Sequence, residues 1–289
     1  MTALSNHQSP ITNHGTIAFI GGGNMARSLI GGLVARGAAG GSIRVAEPAE
    51  ALRKSLEADF GIATFADGVQ AADGADVWML AVKPQVMRPV CEALAPLARE
   101  RHPLVVSVAA GITSAQVARW LGGGEGTDAP AIVRCMPNTP ALLGAGVTGL
   151  FATPAVDAQG RNRAQSLLSS AGETVWIDDE ALMDAVTATS GSGPAYVFLL
   201  AEAMEDAARR QGLPDGTART LALQTILGAA RMLTESDVPP AELRRRVTSP
   251  GGTTQAAIET FEAGGLRELV DRAMANAAER GRELSAAND

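Results

Sequence analysis

Lysine is nearly missing from this 289-residue chain, which carries it only at Lys54 and Lys83. Any mechanism that draws a lysine from the second half is thereby excluded. Histidine is almost as scarce, at His7, His14 and His102, so neither a histidine triad nor a metal site is expected. Two cysteines, Cys91 and Cys135, stand far apart without C-x-x-C or ligand spacing. That pattern reads as reduced thiols in a cytoplasmic protein. Basic charge is short as well. The net charge of −7 opposes a nucleic-acid partner, which needs a basic stripe, and Arg244-Arg245-Arg246 reads as a solvated helix face. No apolar run approaches the length of a bilayer crossing, so no membrane partner is expected. Residues 1–14 are polar, lack an apolar core and read as a disordered leader rather than a signal peptide.

What the chain does carry is small and apolar. Hydrophobic residues make up 46%, aromatics 3%, and glycine occurs 32 times, which suits a helix-rich α/β protein of one large or two ordinary domains. The stretch Thr16–Ala26, TIAFIGGGNMA, organises the rest. Ile17–Ile20 is a short apolar run of the kind that forms a strand buried on both faces. Gly21, Gly23 and Ala26 fit G-x-G-x-x-[GA], and Asn24–Arg36 has an amphipathic helical pattern. A dinucleotide needs small residues here. One turns the strand sharply, one lets backbone approach a pyrophosphate, and one lets helix pack on strand. Asn24, Met25 and Ala26 then form the helix start where N–H groups and the helix dipole favour phosphate. Glu47 ends the next strand, close to where an acidic residue meets an adenine ribose.

The alternation continues. Strands are expected at 43–47, 62–65, 77–82, 104–108 and 131–135, with helices between them, which implies a parallel, doubly wound sheet. Pro48 and Pro84 each stand where a helix opens, Asp67–Asp73 reads as a helical turn, and Thr113 or Ser114 caps the helix that runs to Leu121. The loop at 122–130 reads as flexible. A strand-like piece at 147–151, a helix at about 155–171 and a strand at 174–177 complete the first domain, residues 15–178.

After Asp178 only helices are expected, over residues 179–289. Ser192 is a candidate N-cap with Pro194 just inside, and AYVFLLAEAMEDAARRQ follows up to Gly212. Its first three turns are apolar nearly all round, so they must be buried in a core or between subunits. Further helices are expected at about 215–235, 241–248, 254–263 and 266–285.

Three segments fall at the carboxyl ends of strands, where open α/β sheets bind ligands. They are the glycine turn, Val82-Lys83-Pro84-Gln85 with Ala81 before it, and Ala109-Ala110-Gly111. Lys83 either is a solvated helix-start residue or holds a ribose hydroxyl or a substrate carboxylate. The small residues Ala109, Ala110 and Gly111 let a nicotinamide ribose lie flat on backbone. Further on, Thr248–Thr254, TSPGGTT, is either a helix-connecting turn capped by Thr253 or a carboxylate nest. In the second reading the N–H groups of Gly252, Thr253 and Thr254 face the anion, and Ser249 and Thr254 add hydroxyls.

Together these residues resemble the pyrroline-5-carboxylate reductases. The likeness runs from Thr16 to about Leu284. It rests on FIGGGNMA (19–26), AVKPQ (81–85), RCMPNTP (134–140), SGSGPAYVF (190–198) and SPGGTTQAAIE (249–259). It implies an α/β Rossmann-type doubly wound sheet followed by an all-α dimerisation domain, with helices of two subunits interleaved and dimers often gathered into a larger ring. It implies reduction of Δ1-pyrroline-5-carboxylate to L-proline with NADP(H) or NAD(H), the substrate lying between one subunit's nicotinamide and its partner's SPGGTT turn. By position, Thr254 matches the proposed proton donor to the ring nitrogen, and Ser249, Gly252 and Thr253 match the carboxylate-binding turn.

Glu47 departs from the family pattern of a small polar residue followed by proline, and a carboxylate there favours the free 2′-hydroxyl of NADH. Two rivals are weighed. A β-hydroxyacid dehydrogenase needs a lysine in its helical domain, and none follows Lys83. A non-catalytic NAD(P)-binding redox sensor needs no carboxylate nest.

Overall fold

The apolar run Ile17–Ile20 forms strand β1, buried at every residue, in a computed structural model that describes residues 15–123 and 129–288. The expected leader and the middle of the expected flexible loop, residues 124–128, lie outside the described residues. Seven further strands follow: β2 (Ile43–Ala46), β3 (Ala63–Phe65), β4 (Val77–Leu80), β5 (Leu104–Ser107), β6 (Ile132–Met136), β7 (Gly146–Ala152) and β8 (Gly172–Trp176). They make one sheet in the order β3-β2-β1-β4-β5-β6-β7-β8. Around it run α1 (Asn24–Ala35), α2 (Glu50–Phe60), α3 (Gly68–Ala72), α4 (Pro84–Arg101), α5 (Ser114–Trp120), α6 (Ala158–Leu168) and the short α7 (Met183–Val186).

The continuous apolar strands follow from burial on both faces. Ile17 and Phe19 pack with Leu29, Ile30 and Leu33 of α1, while Ala18 and Ile20 belong to a second core with Trp78, Met87 and Leu94. Trp78 is fully buried and its indole N–H still donates to Ala72 O at 3.2 Å, as a buried polar handle must.

The expected all-parallel sheet is corrected at one joint. Strands β1 to β6 are parallel, but β7 runs antiparallel to β6, and β8 is parallel to β7. A parallel return needs a long crossover, whereas the link from Met136 to Gly146 holds only a 3-10 turn, Thr139–Leu143. Asn138 fastens that link. Its Oδ1 accepts from Val147 N at 2.9 Å, and its Nδ2 donates to Ser190 O at 3.1 Å.

Helix starts also differ from expectation in places. Pro84 opens α4 and Thr113 caps α5 with a full capping box, as read from sequence. Pro48, however, lies outside α2, whose N-cap is Ala49. Glu47 Oε1 accepts from Ala49 N, and Arg53 Nη1 donates to the carbonyls of Glu47 and Pro48, which holds residues 47–49 outside the helix.

The chain divides into two compact units. Among the described residues, one runs from residue 15 to Gly191 and takes in Ala277 to Asn288, and the other is Ser192–Asn276. The boundary expected at residue 178 thus falls within the first unit. Beyond it come α8 (Gly193–Arg210), α9 (Asp215–Thr234), α10 (Pro240–Arg246), α11 (Thr253–Ala263) and α12 (Leu266–Ala287). Ser192 precedes α8 with helical backbone and makes no side-chain cap, because the π-helical turn Thr187–Gly191 leads straight into it. In the second unit Phe198 and Leu199 of α8, Leu227 of α9 and Leu269 of α12 are all exposed.

Candidate functional site

The sheet order reverses at β1, which pairs with β2 on one side and β4 on the other. Open α/β sheets bind ligands at such a switch point, beyond the carboxyl ends of the strands. A crevice of about 740 Å3 lies there, and Gly21, Gly23, Glu47, Ala81, Val82 and Lys83 all border it. All six are residues that the sequence motifs mark.

The glycine turn is made by close approach. Gly21 has φ +105, and a Cβ on it would stand 2.7 Å from the Ala81 carbonyl oxygen. A side chain is therefore excluded twice, by strain and by contact with backbone. Gly23 is the N-cap of α1 and has open space on its Cβ side. Asn24, Met25 and Ala26 follow as the first residues of α1. That helix has no side-chain cap and no acidic residue in its first turn, so its leading N–H groups and positive dipole end are available to an anion. This is the fit a dinucleotide pyrophosphate requires.

Glu47 faces the same turn. Its Oε2 accepts from Gly22 N at 3.1 Å and its Oε1 from Ala49 N at 3.0 Å. Two backbone donors thus fix the carboxylate at the crevice edge. Arg53 is tied to the carbonyls of residues 47 and 48, and Lys54 pairs with Glu50 at 2.7 Å. Lys83 is the N-cap of α4, exposed, and makes no ion pair among the described residues. Pro84 follows at the first position of the helix.

The sequence reading missed the apolar wall of the crevice. Leu52, Val69 and Val86 border it and are 46%, 37% and 46% exposed, which suits the flat face of an adenine. No motif marks them; the usable signal is an aliphatic residue on the solvent side of a helix. Ala109-Ala110-Gly111 follow β5, with Gly111 buried at φ +70. They do not border the crevice itself.

The second unit holds the other predicted segment. Thr253 and Thr254 are the first two residues of α11, and Gly252, not Thr253, is the N-cap. The expected nest is smaller than drawn from sequence, because Gly252 N already donates to Ser249 O at 3.0 Å. The N–H groups of Thr253 and Thr254 belong to the first turn and have no intrahelical acceptor. Gln255 Oε1 reaches back to Gly251 N at 2.7 Å and steadies the turn. Ser249 is exposed and Thr254 half-buried.

Other reactive groups are set aside by their surroundings. Burial, then the nearby Glu92 charge, pushes the Cys91 thiol up to about 12, and burial likewise raises Cys135 well above its ordinary value; neither is a thiolate nucleophile. Among the described residues no cluster of His, Cys, Asp or Glu has the form of a metal site. No described helix is long and apolar enough to cross a membrane. The arginine triplet of α10 is exposed and paired, Arg245 and Arg246 with Glu242 and Arg244 with Glu262.

Comparison with known proteins adds the family. A family model described as pyrroline-5-carboxylate reductase dimerisation matches residues 180–284, and one described as NADP oxidoreductase, coenzyme F420-dependent, matches residues 16–111. The pyrroline-5-carboxylate reductase of Pseudomonas aeruginosa is 52% identical over 93% of this chain and 96% of its own length. The solved structure of a pyrroline-5-carboxylate reductase from Coxiella burnetii superposes with a TM-score of 0.89 at 44% identity, covering 94% of this chain and 99% of that one. The Plasmodium falciparum enzyme, solved with NADP bound, gives 0.81 at 27% identity, over 93% and 98%. With a relative this similar over nearly its whole length, the chain belongs to the pyrroline-5-carboxylate reductase family.

Proposed function

We propose that the chain reduces Δ1-pyrroline-5-carboxylate to L-proline, the last step of proline biosynthesis, using NADP(H) or NAD(H). The observation that carries this reading is the glycine-lined crevice at the sheet's switch point in a chain of this family. A reduced nicotinamide, when bound, supplies the hydride. The chain's own residues hold and orient. The α1 start offers N–H groups to the pyrophosphate, and Ala81, Val82 and Pro84 form the backbone edge beside it. Lys83 offers its ammonium to a ribose hydroxyl or a substrate carboxylate. In the second unit, Ser249, Gly252, Thr253 and Thr254 form the carboxylate-binding turn, the N–H groups of Thr253 and Thr254 doing the donating.

Thr254 is proposed as the catalytic residue. As the C=N carbon takes the hydride, the ring nitrogen must gain a proton, and the Thr254 hydroxyl directs or relays it. A neutral hydroxyl is too weak an acid to supply that proton unaided.

Glu47 sets the cofactor preference in this reading. A carboxylate fixed by Gly22 and Ala49 accepts from the free 2′-hydroxyl of NADH and repels the 2′-phosphate of NADPH. We therefore propose that NADH is well used, although the Plasmodium relative was solved with NADP. The assembly proposed is a homodimer through the helical unit, gathered into a larger ring, in the cytoplasm. The deciding experiment is oxidation of NADH and NADPH by purified protein with pyrroline-5-carboxylate. Substrate-dependent oxidation is expected, and its absence with both cofactors removes the reading.

A further inference from the structure

The loop after β5 is held by its own residues only on the core side, where Ala109 and Ile112 are buried. Ala109 and Ala110 carry only methyl groups, and Gly111 carries none. Residues this small suit a ribose lying on backbone, but they offer no polar side chain to fasten the loop on its outer side. The polar anchors come from elsewhere in the first unit, from α5 and the end of α12.

Four successive contacts seat that helix end. A Cβ on Gly281 would stand 2.7 Å from Asp184 Oδ1 of α7, so the helix passes as near as a glycine allows. One turn on, Leu284 Cβ lies 3.2 Å from where a Cβ of Gly111 would be. The Ser285 carbonyl accepts from Gln116 Nε2 at 2.9 Å. Asn288 Nδ2 donates to Gly111 O at 3.3 Å and to Leu284 O at 2.7 Å.

Gln116 is only 1% exposed and uses both ends of its amide. Its Oε1 accepts from Thr113 N at 2.8 Å. One side chain thereby joins the start of α5 to the end of α12. The loop is clamped at Gly111 by Asn288 and at Thr113 by Gln116. Just beyond, Ser114 N donates to Glu180 Oε1 at 2.7 Å, and that carboxylate pairs with Arg134 at 2.9 Å.

We propose that Asn288 and Gln116 are positioning residues for the nicotinamide half of the cofactor, acting through the Ala109–Ile112 loop. This rests on the dinucleotide reading above. A dinucleotide that straddles the switch point puts its adenosine half on the β2 side and its nicotinamide half on the β4–β5 side. Loosening the loop therefore weakens one half of the ligand and leaves the other.

The test compares ligands with and without nicotinamide on wild type, Asn288→Ala and the near-isosteric Asn288→Asp, which removes the donor. Binding of NADH and of ADP-ribose, and of their 2′-phosphorylated counterparts, is measured by calorimetry alongside thermal melting. In both variants the Kd for NADH is expected to rise about five- to tenfold, as for one lost hydrogen bond, while that for ADP-ribose stays within about twofold. Melting temperature and oligomeric state are expected to stay at the wild-type values. Equal weakening of both ligands, or of neither, overturns the positioning role. Failure of wild type to bind either ligand overturns the dinucleotide reading itself, and the positioning role with it.

Discussion

Strand β1 reads IAFI and the start of α8 reads PAYVFLL, two comparably apolar stretches that end in opposite surroundings. Every residue of β1 is at most 3% exposed, whereas Phe198 and Leu199 in α8 are 65% and 66% exposed. In the first unit, helices on both faces of the sheet cover such residues, and the unit closes around its own core. In the second, α10 and α11 bury no residue at all, and α9 buries only Ala218 and Ala222. Hydrophobicity alone thus does not tell a core from an interface; the number of covering elements within the chain does. Exposed apolar surface this extensive marks an interaction site, and it lies within residues 180–284, which the pyrroline-5-carboxylate reductase dimerisation model matches.

That contrast can be broken from the second unit first. Phe198→Ala is expected to cost about 3–5 kcal/mol in each copy if the ring is buried on association. The dimer's Kd should then weaken by at least about ten-thousandfold. Sedimentation at micromolar concentration checks it, and an unchanged dimer removes α8 from the interface. NADH binding by the first unit is expected to survive.

The reverse break is Gly21→Ala. Strain at φ +105 and contact with the Ala81 carbonyl should lower cofactor affinity about a hundredfold, near 2.7 kcal/mol. Assembly should be untouched. Fluorescence titration and sedimentation on the same sample separate the two effects.

Thr254→Ala sharpens the division of labour. A fall in kcat of about ten- to hundredfold is expected, from losing one transition-state hydrogen bond, with cofactor affinity unchanged. An unaltered kcat in the folded variant removes Thr254 from the mechanism. The smallest effect is that of Glu47→Ser, confined to the first unit. The ratio of kcat/KM for NADH over NADPH should fall about tenfold, near 1.4 kcal/mol. If wild type already strongly prefers NADPH and the ratio does not move, the electrostatic argument is wrong.

Much of the first unit was legible because its signals are local. A strand buried on both faces has to be apolar throughout, and the glycine turn has to be small, so IAFIGGG announces both. What was not legible depends on partners distant in sequence. Pro48 reads as a helix start in sequence, but Glu47 and Arg53 hold residues 47–49 outside α2. Ser192 looked like a cap, but a π-helical turn precedes it. The Gly252 N–H looked free, yet the turn itself consumes it. The amide of Asn288 on Gly111 joins positions with no shared motif or periodicity. No pattern within one segment encodes it.

The strand order also dictates how the sheet comes together. From β4 to β8 each strand lies beside its neighbour in sequence, and β1, β2 and β3 do likewise in reverse. The two halves meet only where β1 joins β4, with Ile17 beside Val77. Closing that seam requires the chain between to be looped back, an entropic cost that the local pairs do not bear. The seam is also where the crevice opens. A nucleotide bound across it grips both halves at the joint between them, so ligand favours the completed sheet over any half-assembled form.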